Sequence, residues 1–336
     1  MSLNNSNLKI GGGKRLTWID QLKGFTILGV IFVHAQGHPE WWTANHVNTI
    51  FFFLAGMFFK ARPFGEFVRK NAVSLLIPFV FFFLLSYPFR ILVELWDTRS
   101  FDAVTWDMLL DVFKVEARSD YLYANVPLWF IFCLFFVQVI YWGLSKCHIW
   151  LRAALLACVW VFWDDIYNFP TPFMLNNAVC WTLYFGLGSM LKDMIMKATS
   201  NRSFAFAVAV CCAALMFMTD ALFDNSQATN IFYILWCLLM VAVASILGNL
   251  YTSRILDFLG TNTLVILGAH LWFLIPIGRL HSKLFHDAGI YEALIMSVLC
   301  AAMLVPVIRI INKHFPFAAG KKKAVVKRDI ERLPAS

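Results

Sequence analysis

Two ionisable side chains stand in an apolar stretch near the start of the chain. They are Lys23 and His34, within Trp18-Ile19-Asp20-Gln21-Leu22-Lys23-Gly24-Phe25-Thr26-Ile27-Leu28-Gly29-Val30-Ile31-Phe32-Val33-His34. A helix turns about 100° per residue, so their spacing amounts to about three turns plus about 20°. The ammonium and the imidazole therefore share one face, roughly 16 Å apart along the axis. An ionisable group inside a membrane span is expensive to bury and marks a functional position by default. Imidazole is the usual proton acceptor near neutral pH. Asp20 lies three residues before Lys23, within side-chain reach on a helix, and lowers the cost of burying the ammonium. The competing readings are structural: Lys23 snorkelling to the inner surface, and His34 as a polar residue at a helix end.

Further candidates lie outside this helix. The loop after the next apolar run carries Lys60, Arg62, Arg69 and Lys70. Ordinary loop charge explains them, but guanidinium forks also match phosphate oxygens, so Arg62, Arg69 and Lys70 are candidates to hold an anionic cofactor such as a nucleotide phosphate. A second histidine, His270, falls in the apolar run after Gly260-Thr261-Asn262-Thr263. It is either a member of the site or a packed polar group. His38, His46, His281 and His286 read as loop or interface residues. Asp164-Asp165, after Trp160 and Trp163, reads as a solvated loop end, with sugar binding by carboxylates and indoles as the alternative. The eight cysteines show no metal-ligand spacing, so no metal site is expected; Cys211-Cys212 reads as packing. There is no Gly-x-Ser-x-Gly, no flavin or nicotinamide fingerprint, and Gly11-Gly12-Gly13-Lys14 lacks P-loop spacing. A reaction that needs a base, a bound activated donor and a hydroxyl acceptor suits this inventory.

The elements that must position these groups are membrane helices. The chain is 60% hydrophobic and 14% charged, against about 25% charged in a soluble domain, and its mean hydropathy is +0.68. Apolar runs near 17–36, 46–60, 73–96, 127–144, 149–163, 173–191, 204–223, 229–249, 262–278 and 289–311 predict an all-α, polytopic bundle of about ten transmembrane helices. Those at 46–60, 149–163 and 262–278 are short for a straight span and need neighbours around them. Most of the 28 basic residues fall on alternate loops and in the tails. The positive-inside rule then puts both termini in the cytoplasm of a multi-pass cell-membrane protein. The net charge of +8 is thereby a topology signal, and no nucleic-acid partner is expected. Residues 1–16 read as a cytoplasmic tail, 17–311 as the membrane domain and 312–336 as a basic tail, with Lys321-Lys322-Lys323 as a stop-transfer flank. The outer loop 97–126 reads as carrying a short amphipathic surface helix.

With these pieces in order the chain resembles the acyltransferase-3 family of integral-membrane O-acyltransferases, which includes fucose 4-O-acetylase-like proteins. The resemblance rests on Trp18-Ile19-Asp20-Gln21-Leu22-Lys23-Gly24, the Lys23-x10-His34 spacing, Phe51-Phe52-Phe53-Leu54-Ala55-Gly56-Met57, Leu75-Leu76-Ile77-Pro78-Phe79, Pro127-Leu128-Trp129-Phe130-Ile131 and Gly260-Thr261-Asn262-Thr263-Leu264…His270. It implies transfer of an acyl group, usually acetyl from cytoplasmic acetyl-CoA, to a sugar hydroxyl of a surface polysaccharide or lipid-linked glycan. Acetyl-CoA is then a substrate, with no permanently bound cofactor. It makes His34 the catalytic candidate and Lys23 its basic partner. One departure is Val73-Ser74, where relatives often carry Arg or Lys before the Leu-Leu-Ile-Pro segment. The alternatives are a transporter or flippase for a saccharide or lipid-linked sugar, and a membrane structural or sensory protein. The absence of an evident internal repeat weighs against many transporter folds.

Overall fold

The computed structural model describes residues 16–100, 125–222, 226–285 and 288–321. Gly11–Lys14, nearly all of the expected surface helix in the 97–126 loop, His286 and Lys322-Lys323 lie outside the described residues. The described chain is all-helical. It runs α1 Thr17–His34, α2 Ala44–Met57, α3 Phe64–Asn71, α4 Ile77–Thr98, α5 Trp129–Leu144, α6 Ile149–Val161, α7 Trp163–Asn168, α8 Leu175–Ser200, α9 Arg202–Leu222, α10 Ser226–Leu250, α11 Arg254–Thr261, α12 Thr263–Leu284 and α13 Ile290–His314. A π-turn, Ala72–Leu76, joins α3 to α4, and a 3-10 turn, Pro316–Ala319, follows α13.

Each of the ten apolar runs forms a helix, but not ten equivalent spans. Among the described residues, five helical stretches are long and apolar enough to cross a membrane alone: Phe64–Thr98, Val126–Leu144, Ser226–Gly248, Thr263–Leu284 and Ile290–His314. A sixth results if Pro172–Ser200 and Arg202–Met218, bent by 120°, count as one. The others differ for physical reasons. Helix α1 carries Asp20, Gln21 and Lys23, which lower its hydropathy. Helix α2 has only 14 residues, about 21 Å of rise. The run at 149–163 breaks at Phe162 into α6 and the short α7.

Close helix contacts at glycines set the frame around α1. A Cβ on Gly24 would collide with the Leu256 backbone, and one on Gly260 would collide with the Asp20 carbonyl. The short α11 therefore lies directly on the first turns of α1, as small residues allow between membrane helices. Helices α2 and α8 meet in the same way, Gly56 against Phe185 and Gly188 against Phe53. The main core gathers Ile27, Ile31, Phe52, Phe79, Phe82, Ile131, Val265 and Leu304 around the inner faces of α1, α2, α4, α5, α12 and α13.

Caps fix several ends. Ser253 Oγ accepts from the Leu256 amide at the start of α11. The Gly289 amide donates to the Glu292 carboxylate at 2.9 Å at the start of α13. Asparagine 312, at the sequence-read start of the tail, lies inside α13 and is buried. The turn that follows buries Pro316 and Ala318, so residues 312–321 are part of the bundle.

Candidate functional site

Helix α1 carries Lys23, half-buried, near its start and His34, exposed, at its last position. Lys23 Nζ lies 3.5 Å from Asp20 Oδ1 and 5.5 Å from the centre of the Phe58 ring. The ammonium is thus neutralised by its own helix, as the i, i+3 spacing requires. At the other end, His34 Nδ1–H donates to the Val30 carbonyl at 2.7 Å. A carbonyl can only accept, so this bond puts the proton on Nδ1 and leaves the Nε2 lone pair of the neutral ring open.

His270 is fully buried on α12, and its ring centre is 5.1 Å from that of His34, edge to face. Its Nδ1–H is shared between the Ile266 and Leu267 carbonyls, both at 3.0 Å. Its Nε2 is buried with no hydrogen-bond partner among the described residues. The two histidines, 236 positions apart in sequence, form a pair with the same tautomer, each held by its own helix.

A cavity of about 350 Å³ opens beside Lys23, and neither His34 nor His270 is among its lining residues. Lys23, Ile27 and Val30 line it from α1, at spacings that follow one helix face. Leu264 and Leu267 of α12, Phe130 and Ile131 of α5, and Gly320 complete much of the wall. The cavity begins at Lys23 and reaches Val30 and Leu267, whose carbonyls hold the two imidazoles. Its walls are mostly apolar, and among the described residues Lys23 is the one charged residue in its lining. Such a slot suits a slender, largely uncharged chain.

The other candidates are placed differently. Arg62 is paired with Glu66, and its carbonyl accepts from Trp142 Nε1 at 2.8 Å. Arg69 and Lys70 are exposed on α3. None of the three is in the cavity lining. His46 serves locally: its Nδ1 accepts from the Thr43 amide at 3.2 Å, and its ring stacks on Trp42. Asp164-Asp165 open α7, beside the Trp163–Trp181 contact. No cluster of three or more metal-ligating side chains occurs among the described residues.

One network escaped sequence reasoning. Asn125 Nδ2 donates to Ser86 Oγ at 2.8 Å and to the Gly268 carbonyl at 2.7 Å, and Trp272 Nε1 donates to the same Ser86 oxygen at 2.8 Å. Ser86 and Asn125 are almost wholly buried. Gly268 and Trp272 flank His270, so this network fixes the stretch of α12 that carries it. Its sequence signal is weak, because three common polar types meet across separations of 39 to 186 residues.

Comparison with curated proteins and with solved structures gives no significant match. The family comparison is decisive for the class. An acyltransferase-domain model, that of the acyltransferase-3 family, matches residues 16–311. That range spans α1 with Lys23 and His34, α12 with His270, and nearly all of α13. A long helical membrane bundle is consistent with that match, and the chain belongs to the acyltransferase-3 family of membrane acyltransferases.

Proposed function

We propose that this enzyme moves an acetyl group from cytoplasmic acetyl-CoA to a sugar hydroxyl of a surface polysaccharide or lipid-linked glycan, with His34 as general base. The observation that carries the reading is the slot lined by Lys23, Val30 and Leu267, the last two one helix turn before the contacting rings of His34 and His270. The donor's pantetheine arm lies along the apolar walls, and its thioester carbon lies beside His34. Lys23 and the nearby cations face the phosphate end. Arg62, Arg69 and Lys70 contribute long-range attraction at the loop surface.

In the transfer step the open Nε2 of His34 takes the proton of the acceptor hydroxyl. The hydroxyl oxygen attacks the thioester carbon. The C–S bond breaks, CoA leaves as thiolate, and the imidazolium returns the proton to sulfur. The products are the acetyl ester and free CoA, with neutral histidine restored. His270 packs against His34 and holds its ring in place. General bases of this kind contribute about 10²- to 10⁴-fold in rate.

The test is a radiolabelled acetyl-CoA assay on membranes supplied with isolated surface glycan. Label should appear as base-labile ester on the glycan and depend on His34. Movement of glycan across the membrane without acetyl-CoA consumption would sink the enzyme reading in favour of a transporter.

A further inference from the structure

A smaller cavity lies on another face of α2. Asn48, Phe51 and Ala55 of that helix line the slot, whereas Asn45 and Thr49 line a separate cavity of about 140 Å³. Trp163 of α7, Trp181 and Tyr184 of α8, and the first turns of α10 from Ser226 to Tyr233 close it. Among the described residues, no charged and no aliphatic side chain is in its lining. In a chain that is 60% hydrophobic, such a wall differs in kind from that of the slot.

Its polar groups are held in place by one another. Tyr184 donates to Asn230 Oδ1, and Asn230 Nδ2 donates to the Ser226 carbonyl at 3.0 Å. The hydroxyls of Tyr233 and Thr43 bond each other at 3.0 Å. The Trp163 and Trp181 rings meet at 6.0 Å and 83°, which makes an indole corner. The Ser226 hydroxyl is buried and has no hydrogen-bond partner among the described residues. Such a group costs free energy until a donor or acceptor reaches it. Asn45 and Thr229 are exposed and form the cavity's mouth.

Helix α2 starts one short loop after His34, so this cavity lies at the His34 end of α1. Ring contacts lead from it back to that helix. Tyr233 meets His46 at 5.2 Å, His46 stacks on Trp42 at 5.1 Å, and Trp42 meets Phe32 at 6.5 Å. A ligand suited to this wall is neutral, compact and rich in hydroxyls, with an apolar face to set against an indole. A charged group would find no counterion there, and an alkyl chain would strand the amides and hydroxyls. A sugar ring meets each condition. We propose that this cavity is a saccharide subsite, holding one sugar unit of the acceptor glycan apart from the unit that receives the acyl group. This rests on the acceptor reading given above. The subsite selects the glycan and takes no part in the transfer step.

The experiment uses the full chain in nanodiscs of phosphatidylcholine. The probes are the isolated surface glycan, freed of esters by mild base, and CoA. N45F puts a ring in the mouth. It should raise the dissociation constant for glycan about tenfold or more, as for joint loss of stacking and hydrogen bonding, and leave that for CoA unchanged. S226A removes the unpartnered hydroxyl. It should melt no lower than the unaltered chain, because no internal bond is lost, and bind glycan about fivefold more weakly, as for one neutral hydrogen bond. Unchanged glycan affinity in an N45F protein that inserts and melts normally would overturn the proposal and leave a cavity that holds water only. An equal loss for glycan and CoA would also overturn it, because the defect would then be one of bundle shape. If N45F fails to insert, S226A decides, and unchanged glycan affinity there overturns the proposal. Absence of glycan binding by the unaltered chain would reject the acceptor reading itself, an outcome separate from either variant.

Discussion

Under the proposed function, the open Nε2 of His34 and the covered Nε2 of His270 imply unequal roles for the two imidazoles. His34→Ala should lower the acetyl-transfer rate at least 10²-fold while the protein still inserts and keeps its melting temperature. His270→Asn removes the ring that packs against His34, without removing the base. It should lower kcat by roughly tenfold, about 1.4 kcal/mol of barrier, and leave the KM for acetyl-CoA near its original value. A loss confined to KM would mean that His270 touches donor rather than His34. Lys23→Ala should cripple transfer and Lys23→Arg should retain it, because Asp20, 3.5 Å from the Lys23 ammonium, accepts either cation; a dead Arg variant would show that ammonium geometry, not charge, is required. At this scale the sequence was informative. The eleven-residue spacing of Lys23 and His34 sets their shared face by helix arithmetic alone. The partnership of His34 with His270 was not legible as a contact, because nothing local couples residues on α1 and α12.

Helices position these groups through contacts that leave no room for a side chain. Gly260→Val forces a branched side chain into the Asp20 carbonyl. It should lower stability by about 1–3 kcal/mol, the range for overpacking, seen as a fall in melting temperature and in yield of inserted protein. Gly65→Ala is the matched control. Its Cβ meets nothing within 4 Å, and replacing a helical glycine by alanine gains roughly 0.5–1 kcal/mol. If Gly260→Val melts no lower than Gly65→Ala, α11 does not hold α1 in place. Apolar periodicity located every long helix, since burial and lipid contact demand the same residues. Its errors lie where tertiary contacts overrule composition. The run at 173–191 continues to Ser200, because Ile195 and Thr199 are buried on the same helix as Leu183 and Phe185. The run at 46–60 stops at Met57, where the chain turns toward Pro63 and α3.

On the scale of the whole molecule, the loops that carry cations gather at the Lys23 end. The carbonyl of Arg62, between α2 and α3, accepts from Trp142, near the end of α5. Lys321 joins the α11–α12 junction through Asn262. Arg152 donates to the Ser145 and Cys147 carbonyls of the α5–α6 turn. The positive-inside rule leads us to propose that this end faces the cytoplasm. A reporter active only in the cytoplasm should therefore be active when fused after residue 336, and one active only outside should not. The reverse pattern would place the CoA end of the slot away from the donor pool and defeat the proposed function. The charge map of the sequence carried this expectation because loop cations are read without knowing the fold. The return of residues 316–321 into the bundle was not legible, since Lys321-Lys322-Lys323 looks like any membrane flank until Lys321 is seen bonded to Asn262.

The way each imidazole spends its Nδ1–H on its own helix has a consequence for chemical labelling. Diethyl pyrocarbonate acylates an imidazole through a free ring nitrogen, and here the free nitrogen is Nε2 on both rings. His34 is exposed at the end of α1, whereas His270 has no accessible surface. Peptide mapping should find the label on His34 early and on His270 only once the bundle is opened by denaturant. The neighbouring rings thus act as a reporter and its internal standard, measuring access to the site separately from the integrity of the fold.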